Sequence, residues 1–200
     1  MPYSIITGIE TTGRRAYSQV IEAAAVALDS SFEEVDRFHV IANPGEEALR
    51  SLDPEALRVN GMSLEEIRAG TPIEEAARQY REFIDRYPHA PIHAFNGFGI
   101  RFLSRPPWAM PTNRAGEAVM LAAMDMMIEE GVIGFFENGK PKCPPLKVVA
   151  SFFGVPYEPG AGRMPDTRAV AAVYAAVLKR RGSPDYAAMD EVRLMMEDIF

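Results

Sequence analysis

The sequence predicts an α/β fold, a mixed sheet flanked by helices, and three observations predict it. Residues 4–13, 20–28 and 32–42 are β-forming runs separated only by turn residues, so they read as a three-strand meander that ends at Asn43-Pro44-Gly45. A further short apolar run, residues 91–95, reads as a buried strand. Between and after these runs stand capping residues followed by apolar positions at helical spacing.

The first run, SIITGIETTG, closes on a carboxylate, two threonines and a glycine, which puts Glu10 where a strand gives way to a turn. Open α/β sheets gather their chemistry at such strand ends. The second, VIEAAAVAL, is apolar enough to be covered on both faces, and Asp29-Ser30-Ser31 turns it into the third. Asp53-Pro54 sets a capping side chain ahead of a proline in the first helical position; Ser63-Leu64-Glu65-Glu66 and Thr71-Pro72-Ile73-Glu74 both read as capping boxes. Ala76, Tyr80, Phe83 and Ile84 mark the apolar face of the helix after the second box.

His93, within residues 91–95, is read as a satisfied core histidine rather than a ligand. The proline-rich residues 104–113 form a loop and residues 117–130 a long apolar helix, while Leu146, Val149, Ala150 and Phe153 stripe a short one. Val170, Val173, Tyr174 and Val177 stripe the helix that follows Asp166, where Lys179, Arg180 and Arg181 complement the C-terminal dipole. Ser183-Pro184 caps a last helix with Met189, Val192, Met196 and Ile199 along one face, a stripe expected to pack on its own domain or in a homodimer.

Three stretches in this order carry a resemblance: residues 4–13, AFNGFGIRFL at residues 94–103, and AGRMPD at residues 161–166. With Val59-Asn60-Gly61-Met62-Ser63 and the meander closing on Asn-Pro-Gly, they resemble the motifs of the DEDDh 3′-to-5′ exonucleases, the family of polymerase proofreading subunits and ribonuclease T. The resemblance covers residues 3–178. It implies a ribonuclease H-like fold with a five-stranded mixed sheet, an exonuclease-like domain over residues 1–181, and residues 182–200 as a helix appended to that domain or to a partner.

In that family the first motif is Asp-x-Glu before a threonine-rich turn, the second ends in Phe-Asp, and the third is His-x4-Asp. Four carboxylates hold two divalent ions that activate a water and stabilise the leaving oxygen of a phosphodiester, and the histidine is the general base. Here Glu10 matches the glutamate and Asp166 the last aspartate, and these are the candidate catalytic and metal-binding residues. Gly8, Gly99 and Ala161 stand where the first aspartate, the second-motif aspartate and the histidine belong. Two carboxylates hold at most one magnesium or manganese ion weakly, because such ions need several hard oxygen ligands.

The resemblance therefore implies an exonuclease fold with weak or absent hydrolysis that binds the 3′ end of single-stranded DNA or RNA, with contacts from Thr11, Thr12, Gly61, Met62 and Asn96. Gly61 and Met62 read equally well as a turn and a core contact. Two alternatives stay open: a non-catalytic scaffold or dimer built on the same fold, and an active nuclease with a substitute ligand such as Asn96. Restoring carboxylates at Gly8 and Gly99 and a histidine at Ala161 is expected to rebuild the centre.

Composition narrows the classes further. A formal charge of −7 argues against a broad non-specific grip on nucleic acid, and leaves room only for a local basic patch. One cysteine, Cys143, excludes an internal disulfide and a cysteine-based zinc site, as expected of a cytoplasmic protein. Glu10 interrupts the first apolar run and no basic segment precedes it, so neither a signal peptide nor a membrane span is expected.

Overall fold

The computed structural model describes residues 4–160 and 162–182. Ala161 and the Met189, Val192, Met196, Ile199 stripe lie outside the described residues. Strands β1 (Ser4–Thr11), β2 (Val20–Leu28) and β3 (Glu34–Asn43) form the antiparallel meander. Phe32 has a φ of 64° inside the preceding turn, so β3 begins later than residue 32.

Short helices α1 (Glu46–Arg50), α2 (Pro54–Asn60) and α3 (Leu64–Ala69) follow. Asp53 caps α2 by accepting from the Glu55 amide, and the box between Ser63 and Glu66 caps α3. The second expected box does not form. Thr71 and Pro72 instead make a two-residue strand, β4 (Thr71–Pro72), parallel to the end of β3, and α4 (Ile73–Asp85) starts without a side-chain cap.

The rest of the chain supplies β5 (Ile92–Ala94), α5 (Gly97–Leu103), β6 (Ala115–Ala118), α6 (Val119–Glu129), α7 (Leu146–Phe152) and α8 (Arg163–Arg181). β5 pairs parallel with both β1 and β6, giving a mixed sheet in the order β4-β3-β2-β1-β5-β6. The sheet thus has six strands where five were expected. The start of the expected apolar helix is the source of one of them, since Glu117 and Ala118 lie in β6.

The pleat of β1 sorts the core into two layers. Ile5 and Ile9 face Ala76, Tyr80 and Phe83 of α4 and Phe102 of α5; Ile6 faces α6, α7 and α8 through Val119, Val149 and Val173. β2 is buried along its whole length, as its alanine-rich composition requires of a strand covered on both faces. His93 is buried with both ring nitrogens engaged, Nδ1 with the Glu117 carbonyl at 3.3 Å and Nε2 with the Tyr174 hydroxyl at 3.1 Å. The basic end of α8 makes ion pairs as well as meeting the dipole: Arg180 with Glu130, and Arg181 with Glu117 at 3.1 Å. Among the described residues, no helix is long and apolar enough to cross a membrane.

Candidate active site

β1 carries Glu10 to the edge of the layer that holds α8, and the alternation that buries Ile6 turns Gly8 and Glu10 toward the first turn of that helix. Asp166 sits in that turn, where the exposed amide ends of a helix favour a carboxylate. Both residues line a cleft of about 730 Å³, together with Gly8, Thr11, Asn96 and Gly99.

Glu10 and Asp166 do not face each other across open space. The guanidinium of Arg163, the first residue of α8, lies between them, one Nη paired with Glu10 and the other 3.3 Å from Asp166. The three side chains are mostly hidden, at 21% exposure for Arg163 and 16% for each carboxylate. A cation at a helix N-terminus opposes the dipole, and this one is held there by two carboxylates. Burial pushes the Arg163 guanidinium below its usual value while Asp166 works against that shift; an arginine so placed remains charged at neutral pH. Its Nε is buried without a hydrogen-bond partner, as is Oδ1 of Asp166. Tyr157 stands beside the same carboxylate, and burial, with Asp166 adding to it, raises its hydroxyl to about 12.

Gly8 makes room for this arginine. A Cβ there would stand 2.6 Å from Oγ1 of Thr167 and 2.9 Å from Cδ of Arg163, both inside real contact distances. Thr167 is itself fixed, donating to the Arg163 carbonyl at 2.8 Å. The open space at Gly8 and the position of the Arg163 side chain are therefore linked. Gly99 is different: a Cβ there would meet Ala94 at 3.5 Å and Ile9 at 3.8 Å, ordinary contacts. An aspartate at Gly8 therefore requires the Arg163 and Thr167 side chains to shift.

Of the other residues singled out, Asn96 is exposed and caps α5, its Oδ1 accepting from the Phe98 amide at 3.0 Å. Thr11 is buried and donates to the Gly13 carbonyl at 2.7 Å; Thr12 is buried, accepts from the Gln19 amide at 3.0 Å, and does not line the cleft. Gly61 is the left-handed C-cap of α2 at φ 69°, and Met62 packs toward Ile21, Leu49 and Ile67, so both sit off the cleft lining as a turn and a core contact. Arg163, Tyr157 and Thr167 were missed by sequence reasoning. The available signal was spacing: Arg163 stands three residues before Asp166, on the same helical face.

Magnesium or manganese does not fit these residues. Among the described residues no group of three His, Cys, Asp or Glu side chains converges, and the two carboxylates that do converge already share a resident cation.

Comparison with curated protein sequences finds no match. Among solved structures, the chain is similar to cell-death related nuclease 4 (CRN-4), with TM-score 0.69 and 13% identity over 89% of this chain and 64% of that one. It is similar also to apo exonuclease I (TM-score 0.65, 19% identity, 90% and 43% coverage) and to E. coli exonuclease I in complex with a 5cy-dA13 oligonucleotide (TM-score 0.64, 18% identity, 90% and 41% coverage). The chain thus spans just under two thirds of CRN-4 and under half of exonuclease I. The sequence model described as exonuclease matches residues 5–114, from β1 through the loop beyond α5. That match covers more than half of the 200 residues, and the chain belongs to the exonuclease family.

Proposed function

We propose that this protein holds nucleic-acid 3′ ends in the exonuclease cleft without hydrolysing them. The observation that carries the reading is the Arg163 guanidinium seated between Glu10 and Asp166, in space that Gly8 leaves open. A divalent ion about 4 Å from that guanidinium would be repelled by on the order of 8 kcal/mol at an effective dielectric near 20, so it would have to displace Arg163 from the two carboxylates to bind well. Without a metal, water activation and leaving-group stabilisation lose their agent.

The cleft keeps features suited to an end group. Asn96, Phe98, Val59 and Asn60 line it, and the arginine has already neutralised part of the carboxylate charge that would repel a phosphate. Thr11, Thr12, Gly61 and Met62 act on this reading through the turn and wall they build. A substitute-ligand nuclease has less support, because Asn96 Oδ1 is occupied as a helix cap. A scaffold role has one specific observation in its favour: Phe135 and Phe136 are 50% and 55% exposed side by side.

The test pairs two measurements on 5′-labelled single-stranded DNA and RNA. With magnesium or manganese the strands should stay full length, while anisotropy should report binding that a blocked 3′ end weakens. Metal-dependent shortening from the 3′ end, abolished by Glu10→Ala, would overturn the proposal.

A further inference from the structure

Charge is uneven around the mouth of the cleft. Asp53 and Glu55 line part of it, where the Asp53 amide donates to the Thr12 carbonyl at 2.8 Å and Glu55 is paired with Arg58. The turn after β1 and the run that begins with α5 form a lip whose two segments, residues 11–19 and 96–116, contain no Asp or Glu. They do contain Arg14, Arg15, Arg101 and Arg105. Arg105 joins them by donating to the Ala16 carbonyl at 2.8 Å, and Arg14 and Phe98 both line the cleft itself.

None of these four guanidinium groups lies within 4.0 Å of a carboxylate among the described residues. Arg58, Arg68, Arg78, Arg168 and Arg180 all do. In a chain of net charge −7, these two segments thus carry four cations without a carboxylate partner. They are also interleaved with rings. Arg101 lies over Phe98 and Phe102 at 5.4 and 5.3 Å, Arg105 over Phe102 at 4.8 Å, and Arg15 over Tyr17, which is 57% exposed. Guanidinium forks match phosphate oxygens and an exposed ring such as Tyr17 can stack on an unpaired base, a pairing that suits single strands, while the buried Phe102 seats the arginines.

We infer that this arginine and aromatic lip is the track for the backbone of a single-stranded nucleic acid whose 3′ end enters the cleft. The inference rests on the end-holding reading and adds where the strand runs and what grips it.

The test uses the full chain, its Arg14→Glu/Arg101→Glu variant and its Arg14→Lys/Arg101→Lys variant, with one labelled single strand in linear and in circular form. Both side chains are exposed and unpaired, and circular dichroism checks that each variant folds. Charge reversal should weaken the linear strand at least about tenfold and flatten the slope of log affinity against log salt by about 1.4, two phosphate contacts at roughly 0.7 each. The lysine variant should keep most of the affinity. Unchanged affinity and salt slope on reversal, with the parent binding the linear strand, would overturn the lip and leave end-holding intact. Circle and linear strand bound equally by the parent, both lost on reversal, would uphold the lip and overturn end-holding. Binding of neither form by the parent overturns both.

Discussion

Replacing Arg163 by alanine isolates what the resident cation does. It strips a counter-charge from two carboxylates that are each 16% exposed, and removes the stem that runs beneath Gly8. Breaking a buried ion pair from one side destabilises by about 3–5 kcal/mol. The cleft admits water, which places this case near the lower end, at about 3 kcal/mol. For a chain of this size each kcal/mol moves the midpoint by roughly 2–4 °C, so Arg163→Ala should melt roughly 6–12 °C below the parent at neutral pH. The freed carboxylates should then accept a divalent ion in place of the guanidinium. At tenfold excess over its dissociation constant such an ion returns about 1.4 kcal/mol. Differential scanning fluorimetry with and without manganese reads both effects. The parent should show no saturable manganese response while the variant recovers part of its loss. A drop below about 2 °C, or an equal manganese response in both proteins, would refute the account of Arg163 as the cation of this site.

Three further outcomes follow from the same structure. Gly8→Asp should destabilise the parent by about 1–3 kcal/mol through overpacking against Thr167 and Arg163, and much less in the Arg163→Ala background; additive losses in that double-mutant cycle would show that the two positions do not share space. Burial depresses the pKa of His93 below its usual 6.5, so the unfolded chain binds the proton more readily and stability should fall as pH drops from about 7 toward 5; His93→Gln should remove part of that slope in denaturant titrations, and an unchanged slope would discard the assignment. Tyr80 and Tyr157 are both raised to about 12, above the unfolded tyrosine value, so their contribution is complete below pH 10 and should be lost as pH rises from there toward 12. Tyr157→Phe should reduce the alkaline loss, and a variant with the parent's alkaline profile would count against the buried hydroxyl.

Much of the fold was legible because its signals are local. The meander, the Asp53 and Ser63 caps, and the stripe of α8 depend on residues adjacent in sequence or one helical turn apart. Thr71-Pro72 misled for a physical reason: the same residues that fit a capping box also fit an edge strand, and pairing with Ala42 and Asn43 decides between them. Likewise Glu117 and Ala118 follow an apolar helix in pattern but are claimed by the open edge of β5.

The site was legible as Glu10 and Asp166 at one cleft, and the three-residue spacing could have added Arg163 to Asp166. The packing of Arg163 against residue 8 is a long-range contact that no spacing rule reaches. Charge balance offers the missing step. Four carboxylates and two divalent ions sum to zero, so deleting two carboxylates while keeping both ions would leave two uncompensated positive charges in a partly buried cleft. Two carboxylates with one guanidinium leave a single negative charge, and the guanidinium is covalently attached, so its retention needs no free ion at all. Gly8 is a requirement of the arginine, since a Cβ there would crowd Cδ of Arg163. The exchange also predicts where the site's remaining chemistry lies. On the end-holding proposal the centre keeps one net negative charge, so the grip on a phosphate must come from cations beside the cleft and not from Arg163.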